Sequence, residues 1–236
     1  MIHTVAETGS TSADLAARLR AGERVAEGDW LVADRQVAGR GRQGRPWQDA
    51  SGNFMGSTVV HPGPGDPPAH TLTLATALAA YEAVLPLLPD PRALVIKWPN
   101  DLLLGGAKLS GILLEREGDA VVVGIGINLA QAPDLPDRPT VALSDLGPAP
   151  DRDAFALALA GAFDREIERW RTFGIEPLIR RWLAVAHPLD TPLKVHDADG
   201  VPTYGAFAGL APDASLLLRL EDGTTRAIHA GDVTLG

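Results

Sequence analysis

VIKWPNDLLLGGAKLSGILLE, Val95 to Glu115, is the stretch on which the reading of the fold turns. It contains three short apolar runs, Leu94 to Trp98, Leu102 to Leu104 and Lys108 to Glu115. The adjacent Gly105 and Gly106 suit the positive φ of a two-residue hairpin turn, so the last two runs read as antiparallel strands. Trp98-Pro99-Asn100-Asp101 lies between the first two. Proline removes a backbone donor and Asn-Asp accepts a tight turn, so a purely structural account of these four residues is available. The charges argue for more. Lys97, Asp101 and Lys108 gather at strand ends, and strand alternation predicts that Lys108 and Ser110 share a face. A lysine inside an otherwise apolar hairpin is costly to bury unless it meets an anion.

Outward on the C-terminal side, Ala120 to Leu129 (AVVVGIGINL) is a continuous apolar strand. Gly124 and Gly126 would let a ligand or another strand come close. Asn128 at its polar end could read a base or ribose edge, or could simply terminate the strand. On the N-terminal side, Trp30 to Ala33 and Phe54 to Val60 read as strands. Between them stands GRGRQGRPW, Gly39 to Trp47, in which Gly39, Gly41 and Gly44 alternate with Arg40, Arg42 and Arg45. Glycine bares the backbone and arginine offers a planar fork of donors, so this loop is built to wrap an anion. Held only at its ends, it would be free to move. No Lys-Ser/Thr follows the last glycine, so it is not a Walker A loop; a flexible linker or an RGG-like RNA-binding segment is the competing reading.

Ser10, Thr11 and Ser12 precede a periodic run, Leu15, Ala16 and Leu19, that stops at Gly22. Thr11 with Asp14 fits a capping box, so the hydroxyls could merely start a helix; they could also form a polar wall for a ligand carbonyl or ureido-like group. Ala69 to Leu88, Asp151 to Trp170 and Ile175 to Ala186 have helical periodicity. Beyond Pro188 the pattern changes to short alternating segments: Pro192 to His196, Thr203 to Leu210, Ser215 to Leu220 and Thr225 to His229. The expected architecture is α+β, with a mixed or antiparallel sheet and flanking helices over residues 1–187 and a small β-barrel module over 188–236.

Composition narrows the function. With 21 Lys+Arg against 30 Asp+Glu the formal net charge is -9, which argues against a general polyanion-binding surface and leaves the basic loop for a small anion. The absence of cysteine excludes disulfides, thiolate chemistry and cysteine-ligated zinc, and the six histidines show no close metal-ligand spacing. No apolar run reaches the ~18 residues that span a bilayer and the N-terminus lacks a signal-peptide layout, so a cytoplasmic protein is expected.

Four motifs in order, GRGRQGRPW at 39–47, KWPND at 97–101, KLSGILLE at 108–115 and GIGIN at 124–128, resemble the catalytic domain of biotin protein ligases. The resemblance covers essentially the whole chain and implies a class II synthetase-like catalytic domain with an SH3-like C-terminal barrel. It also implies a two-step reaction. Biotin's carboxylate attacks the α-phosphate of Mg²⁺-bound ATP, giving biotinyl-5′-AMP and pyrophosphate. A lysine ε-amine on the biotin carboxyl carrier domain of an acetyl-CoA or acyl-CoA carboxylase then attacks the mixed anhydride.

Matched residue by residue, Ser10, Thr11, Ser12 and Gln36 fall at positions for biotin's ureido end, with Gly39 and Gly111 as further biotin contacts. Arg40 and Arg42 match loop positions at the carboxyl and phosphate. Arg45, Asn100 and Asn128 fall on the nucleotide side, Asn128 at the adenine, and Trp47 matches a residue that orders over the adenylate. Lys108 matches the lysine at the biotin carboxyl and phosphate; it, Arg42 and Asp101 are the catalytic candidates. Asp101 matches an aspartate that assists the incoming lysine or holds Mg²⁺, and sequence does not separate those roles. Ser12 departs from the family's usual Ser-Thr-Asn. The short segment before this motif leaves no room for a helix-turn-helix domain, so an enzyme without DNA binding, monomeric or weakly dimeric, is expected. The sister reading is a lipoate ligase or octanoyltransferase.

Overall fold

Gly105 and Gly106 take φ values of +59° and +84°, with Leu104 opposite Ala107, as a two-residue hairpin requires. The computed structural model, which describes residues 1–48, 50–196 and 202–235, builds a seven-stranded sheet outward from this turn. Its strands are β1 (Ile2–Thr8), β2 (Trp30–Gln36), β3 (Phe54–Val60), β4 (Leu94–Lys97), β5 (Asp101–Leu104), β6 (Ala107–Glu117) and β7 (Ala120–Ile127). They lie in the order β1-β2-β3-β7-β6-β5-β4; β1 and β2 are parallel and the other neighbours antiparallel. The mixed sheet is as expected.

Four helices clothe it: α1 (Thr11–Arg20), α2 (Leu72–Val84), α3 (Arg152–Phe173) and α4 (Ile175–Leu183). One sheet face is buried under α2 and α3, where Trp30, Phe54, Phe155 and Phe163 meet edge to face. On the other face a smaller cluster, Leu15, Ala16, Leu31, Val59 and Val122, seats α1 over β2, β3 and β7, with β6 at its margin. The remainder of that face is open, and this asymmetry creates the cleft. The helix begins one residue earlier than the capping-box reading: Ser10 is the N-cap, accepting from the Ala13 N–H, because the Thr11 side chain turns inward instead.

The C-terminal segments form a five-stranded antiparallel sheet: β8 (Pro192–His196), β9 (Pro202–Leu210), β10 (Leu216–Arg219), β11 (Thr225–Ile228) and β12 (Asp232–Leu235), in the order β11-β10-β9-β8-β12. β12, which sequence reading missed, is the strand nearest the cleft. The two sheets share one apolar core, in which Ile96, Trp98 and Leu102 are continuous with Val195, Phe207 and Val233. Trp98 donates its indole N–H to the Ala214 carbonyl at 3.2 Å, tying the turn before β5 to this second sheet.

Candidate active site

A cavity of about 650 Å³ occupies the open sheet face, roofed by the 39–47 loop and closed at one side by β12. Its floor is glycine by necessity. A Cβ at Gly126 would lie 2.3 Å from Trp47 Cε2 and one at Gly111 would lie 3.0 Å from Trp47 Cζ3, so the indole rests directly on the backbone of β6 and β7.

One end of the cavity is a hydroxyl cluster. Gln36 Oε1 accepts from the Thr11 N–H at 2.7 Å and from Thr11 Oγ1 at 3.0 Å. Ser57 Oγ lies 2.7 Å from Thr11 Oγ1 and 2.9 Å from Ser12 Oγ. Ser10, Thr11, Ser12, Gln36 and Ser57 are all buried and all line the cavity. Ser57 was not anticipated; the only signal was a buried polar residue in the apolar strand FMGSTVV. Gly39 does not line the cavity: it sits where a Cβ would meet the Trp47 carbonyl at 2.8 Å and Gln36 Nε2 at 3.2 Å, so it shapes the loop root.

The other end is cationic. Asp101, 4% exposed, faces Lys108 Nζ through Oδ1 at 2.7 Å and Lys97 Nζ through Oδ2 at 3.0 Å. Burial opposes ionisation of Asp101, but the two ammoniums outweigh it and hold the carboxyl below its usual range. Two ammoniums share one carboxylate, so the group presents an excess positive charge to any ligand. In this arrangement neither oxygen of Asp101 is open to a magnesium ion, because each is committed to a lysine.

Alternation does not bring Lys108 and Ser110 to one face. A register shift in β6 pairs Leu102 with Ser110 but Leu103 with Lys108, so the extra residue, Leu109, carries Lys108 round to the face of Gly111. Ser110 is fully buried and donates to the Gly126 carbonyl at 2.8 Å.

The basic loop is pinned at more than its ends. It is itself a hairpin, with Trp47 N–H donating to Gly39 O at 2.9 Å and Gly41 N–H to Arg45 O at 2.7 Å. Arg40 pairs with Glu115 at 3.0 Å, Arg42 donates to Asn100 Oδ1 at 3.3 Å and to Gly231 O at 3.4 Å, and Arg45 pairs with Asp232. The arginines thus take as partners a carboxylate of β6, the Asn100 amide oxygen, and a carbonyl and a carboxylate at the start of β12. Burial draws the Arg42 guanidinium below its usual pKa despite Asp232 and Asp101 nearby, the mark of a cation short of negative charge.

Asn100 also donates to Ile112 O at 2.6 Å, and Asn128, which lines the cavity, donates through Nδ2 to Val141 O at 3.1 Å. The proline-rich segment after β7 supplies a wall, including Pro133, Leu135, Arg138 and Thr140, that no sequence pattern marked. It lies beside Lys108, which bridges to Thr140.

A glycine-floored sheet under an arginine loop, with hydroxyls at one end and ammoniums at the other, is built to hold an elongated, carboxylate-bearing molecule beside a second anion. The chain belongs to the biotin/lipoate A/B protein ligase family, whose profile matches residues 10–130. It is 39% identical over 244 aligned positions to the biotin–[acetyl-CoA-carboxylase] ligase of Paracoccus denitrificans, covering 98% of this chain and 99% of that one. It is 36% identical to the Mycobacterium tuberculosis protein of the same name, over 98% and 88% of the two chains. The Aquifex aeolicus biotin protein ligase, solved in complex with biotin and ATP, superposes with a TM-score of 0.86 at 25% identity, covering 100% of this chain and 99% of that one.

Proposed function

We propose that this protein is an ATP-dependent biotin–[acetyl-CoA-carboxylase] ligase. It forms biotinyl-5′-AMP and pyrophosphate from biotin and ATP, then transfers the biotinyl group to a lysine of the biotin carboxyl carrier domain. The observation that carries this reading is the polarity of the cavity, with the Thr11–Ser12–Ser57–Gln36 cluster at one end and Lys108 with Arg42 at the other.

In this reading the hydroxyls and Gln36 hydrogen-bond the ureido group, and Trp47 lifts from Gly111 so that the ring lies against the sheet in its place. Arg40, Arg42 and Lys108 bracket the carboxylate and the α-phosphate. These two anions repel, so fixed cations aimed at the bond being made lower the barrier without reorganising. A biotin carboxylate oxygen attacks phosphorus and pyrophosphate leaves. Mg²⁺ bound to the ATP phosphates would offset the charge of the leaving pyrophosphate. Arg45, Asn100 and Asn128 hold the nucleotide, the Asn128 Oδ1 accepting from the adenine amino group, and Trp47 closes over the adenylate and keeps water from it. In the second step the neutral amine attacks the anhydride carbonyl, the C–N bond forms and AMP departs. Residues 1–187 act as the catalytic domain and 188–236 as a small module docked beside the cleft. The acidic surface suits a cytoplasmic enzyme without DNA binding, working as a monomer or weak homodimer.

The hydroxyl cluster separates biotin from lipoate. A dithiolane ring offers the remaining donor and acceptor capacity of those hydroxyls no hydrogen bonds and shuts it off from water, whereas a ureido group fills it. The test is pyrophosphate release from Mg²⁺ and ATP with biotin, with lipoate or with neither, and no carrier present. A burst with biotin alone is expected. A burst with lipoate alone would move the assignment to the sister activity, and silence with both would overturn adenylation.

A further inference from the structure

Asp101 stands between two lysines that are not equivalent. Lys97 Nζ has a second partner, the Val233 carbonyl of β12 at 2.8 Å, and is held between β4, the carboxylate and the second sheet. Its side chain is 12% exposed. Lys108 faces the cavity, with Asp101 at 2.7 Å and the bare backbone of Gly111 beneath its Nζ. When an anion arrives, Lys108 can turn to it; Lys97, tied to the backbone of another strand, cannot follow. The departure of Lys108 would leave Asp101 Oδ1 as an empty ammonium site facing the cavity, with its carboxylate still held through Oδ2.

We infer that Lys97 is the positioning residue of the transfer step: it keeps Asp101 in place while Oδ1 exchanges the Lys108 ammonium for that of the acceptor lysine. The inference rests on the ligase reading above. It explains why one buried carboxylate is given two lysines when one would neutralise it. The acceptor arrives as R–NH₃⁺, is oriented by Oδ1, and loses one proton before or as its nitrogen attacks. The C–N bond then forms and the anhydride C–O bond breaks, with AMP as leaving group. With Lys97 removed, Lys108 becomes the sole counter-ion of Asp101, and the carboxylate loses its tether to β12.

The experiment compares the parent with Lys97→Met and Lys97→Arg, each first loaded with biotin and ATP to form the adenylate. Loaded enzyme is mixed either with the apo carrier domain of acetyl-CoA carboxylase or with hydroxylamine, a nucleophile that is neutral at pH 7 and needs no ammonium site. Lys97→Met should slow transfer to the carrier lysine by about 100-fold, the scale of a misplaced reacting group, yet leave hydroxylamine trapping within about twofold of the parent. Lys97→Arg, which can reach both Asp101 and the Val233 carbonyl, should recover most of the carrier rate. Equal slowing with both nucleophiles would make Lys97 a merely structural residue and overturn the inference, as would transfer at the parent rate. If Lys97→Met does not load, Lys97→Arg and a Lys97→Met/Asp101→Asn double variant decide: carrier transfer at the parent rate in the double variant would overturn the inference, and a selective loss would support it. A parent that releases no pyrophosphate with biotin would instead sink the ligase reading itself.

Discussion

His187 is a single residue with a consequence for the pH range of the fold. It is buried against Phe207, ring centroids 4.4 Å apart, where β4 meets the second sheet. Burial pushes its pKa from 6.5 to about 4, and the Lys97 ammonium acts in the same direction. The unfolded chain therefore binds a proton more readily, and stability from keeping this ring neutral is complete above pH 6.5 and lost as pH falls toward 4. The shift corresponds to at most about 3 kcal/mol. Urea denaturation at pH 7 and pH 4.5 should show a smaller acid loss for His187→Phe than for the parent; identical losses would exclude His187 as the source. Gly124 sets a second residue-scale limit. A Cβ there would lie 2.4 Å from Ser12 Oγ, so Gly124→Ala must push Ser12 away from Ser57. We expect calorimetric biotin affinity to fall about tenfold, the equivalent of one buried hydrogen bond, and unchanged affinity would remove the hydroxyl cluster from the biotin site. The same crowding bears on the Ser12 departure, because this packing holds a hydroxyl and has little room for an amide. Residue identity made much of this end legible in the sequence, since hydroxyls at a helix start are conspicuous. Ser57 was not, because nothing local says which face of β3 it occupies.

Elements were more legible than their contacts. The Gly105–Gly106 turn followed from the chemistry of glycine, and β3 and β7 from apolar runs. The register shift at Leu109 did not follow: period-two alternation holds until one residue is inserted, and only pairing with β5 shows where that happens. The 39–47 loop is a similar case. Its composition declared an anion site, but its pinning depends on β12, 187 residues away along the chain. That pinning is testable at the level of the element. Asp232→Ala removes the carboxylate partner of Arg45, and in the ligand-free protein trypsin should then cut after Arg42 several-fold faster, read by mass spectrometry. Biotin with ATP should suppress the difference, because the loop then has its own anions to hold. Cutting at the parent rate without ligand would mean that the Asp232 contact does not restrain the loop.

At the scale of the whole molecule, the sequence announced a change of character at Pro188 but not how closely the second sheet is joined to the first. Short alternating strands show that a sheet forms; they carry no information about which face will be covered, or by what. The structure resolves this through side chains that cross between the sheets. Trp98 donates to Ala214 O, Lys97 to Val233 O and Arg42 to Gly231 O, and one apolar core runs from Ile96 and Leu102 to Val195, Phe207 and Val233. A module this small buries too little surface to fold alone, and the catalytic sheet would lose both apolar cover and the partner of Lys97 without it. The full chain should therefore unfold in one thermal transition, with calorimetric and van't Hoff enthalpies in agreement. Residues 1–187 alone should show no cooperative transition and should not adenylate biotin. Two resolved transitions in the full chain, or a truncated chain that melts cooperatively, would mean that the sheets are energetically separate. The dependence of the Lys97–Asp101 geometry on β12 would then need another source.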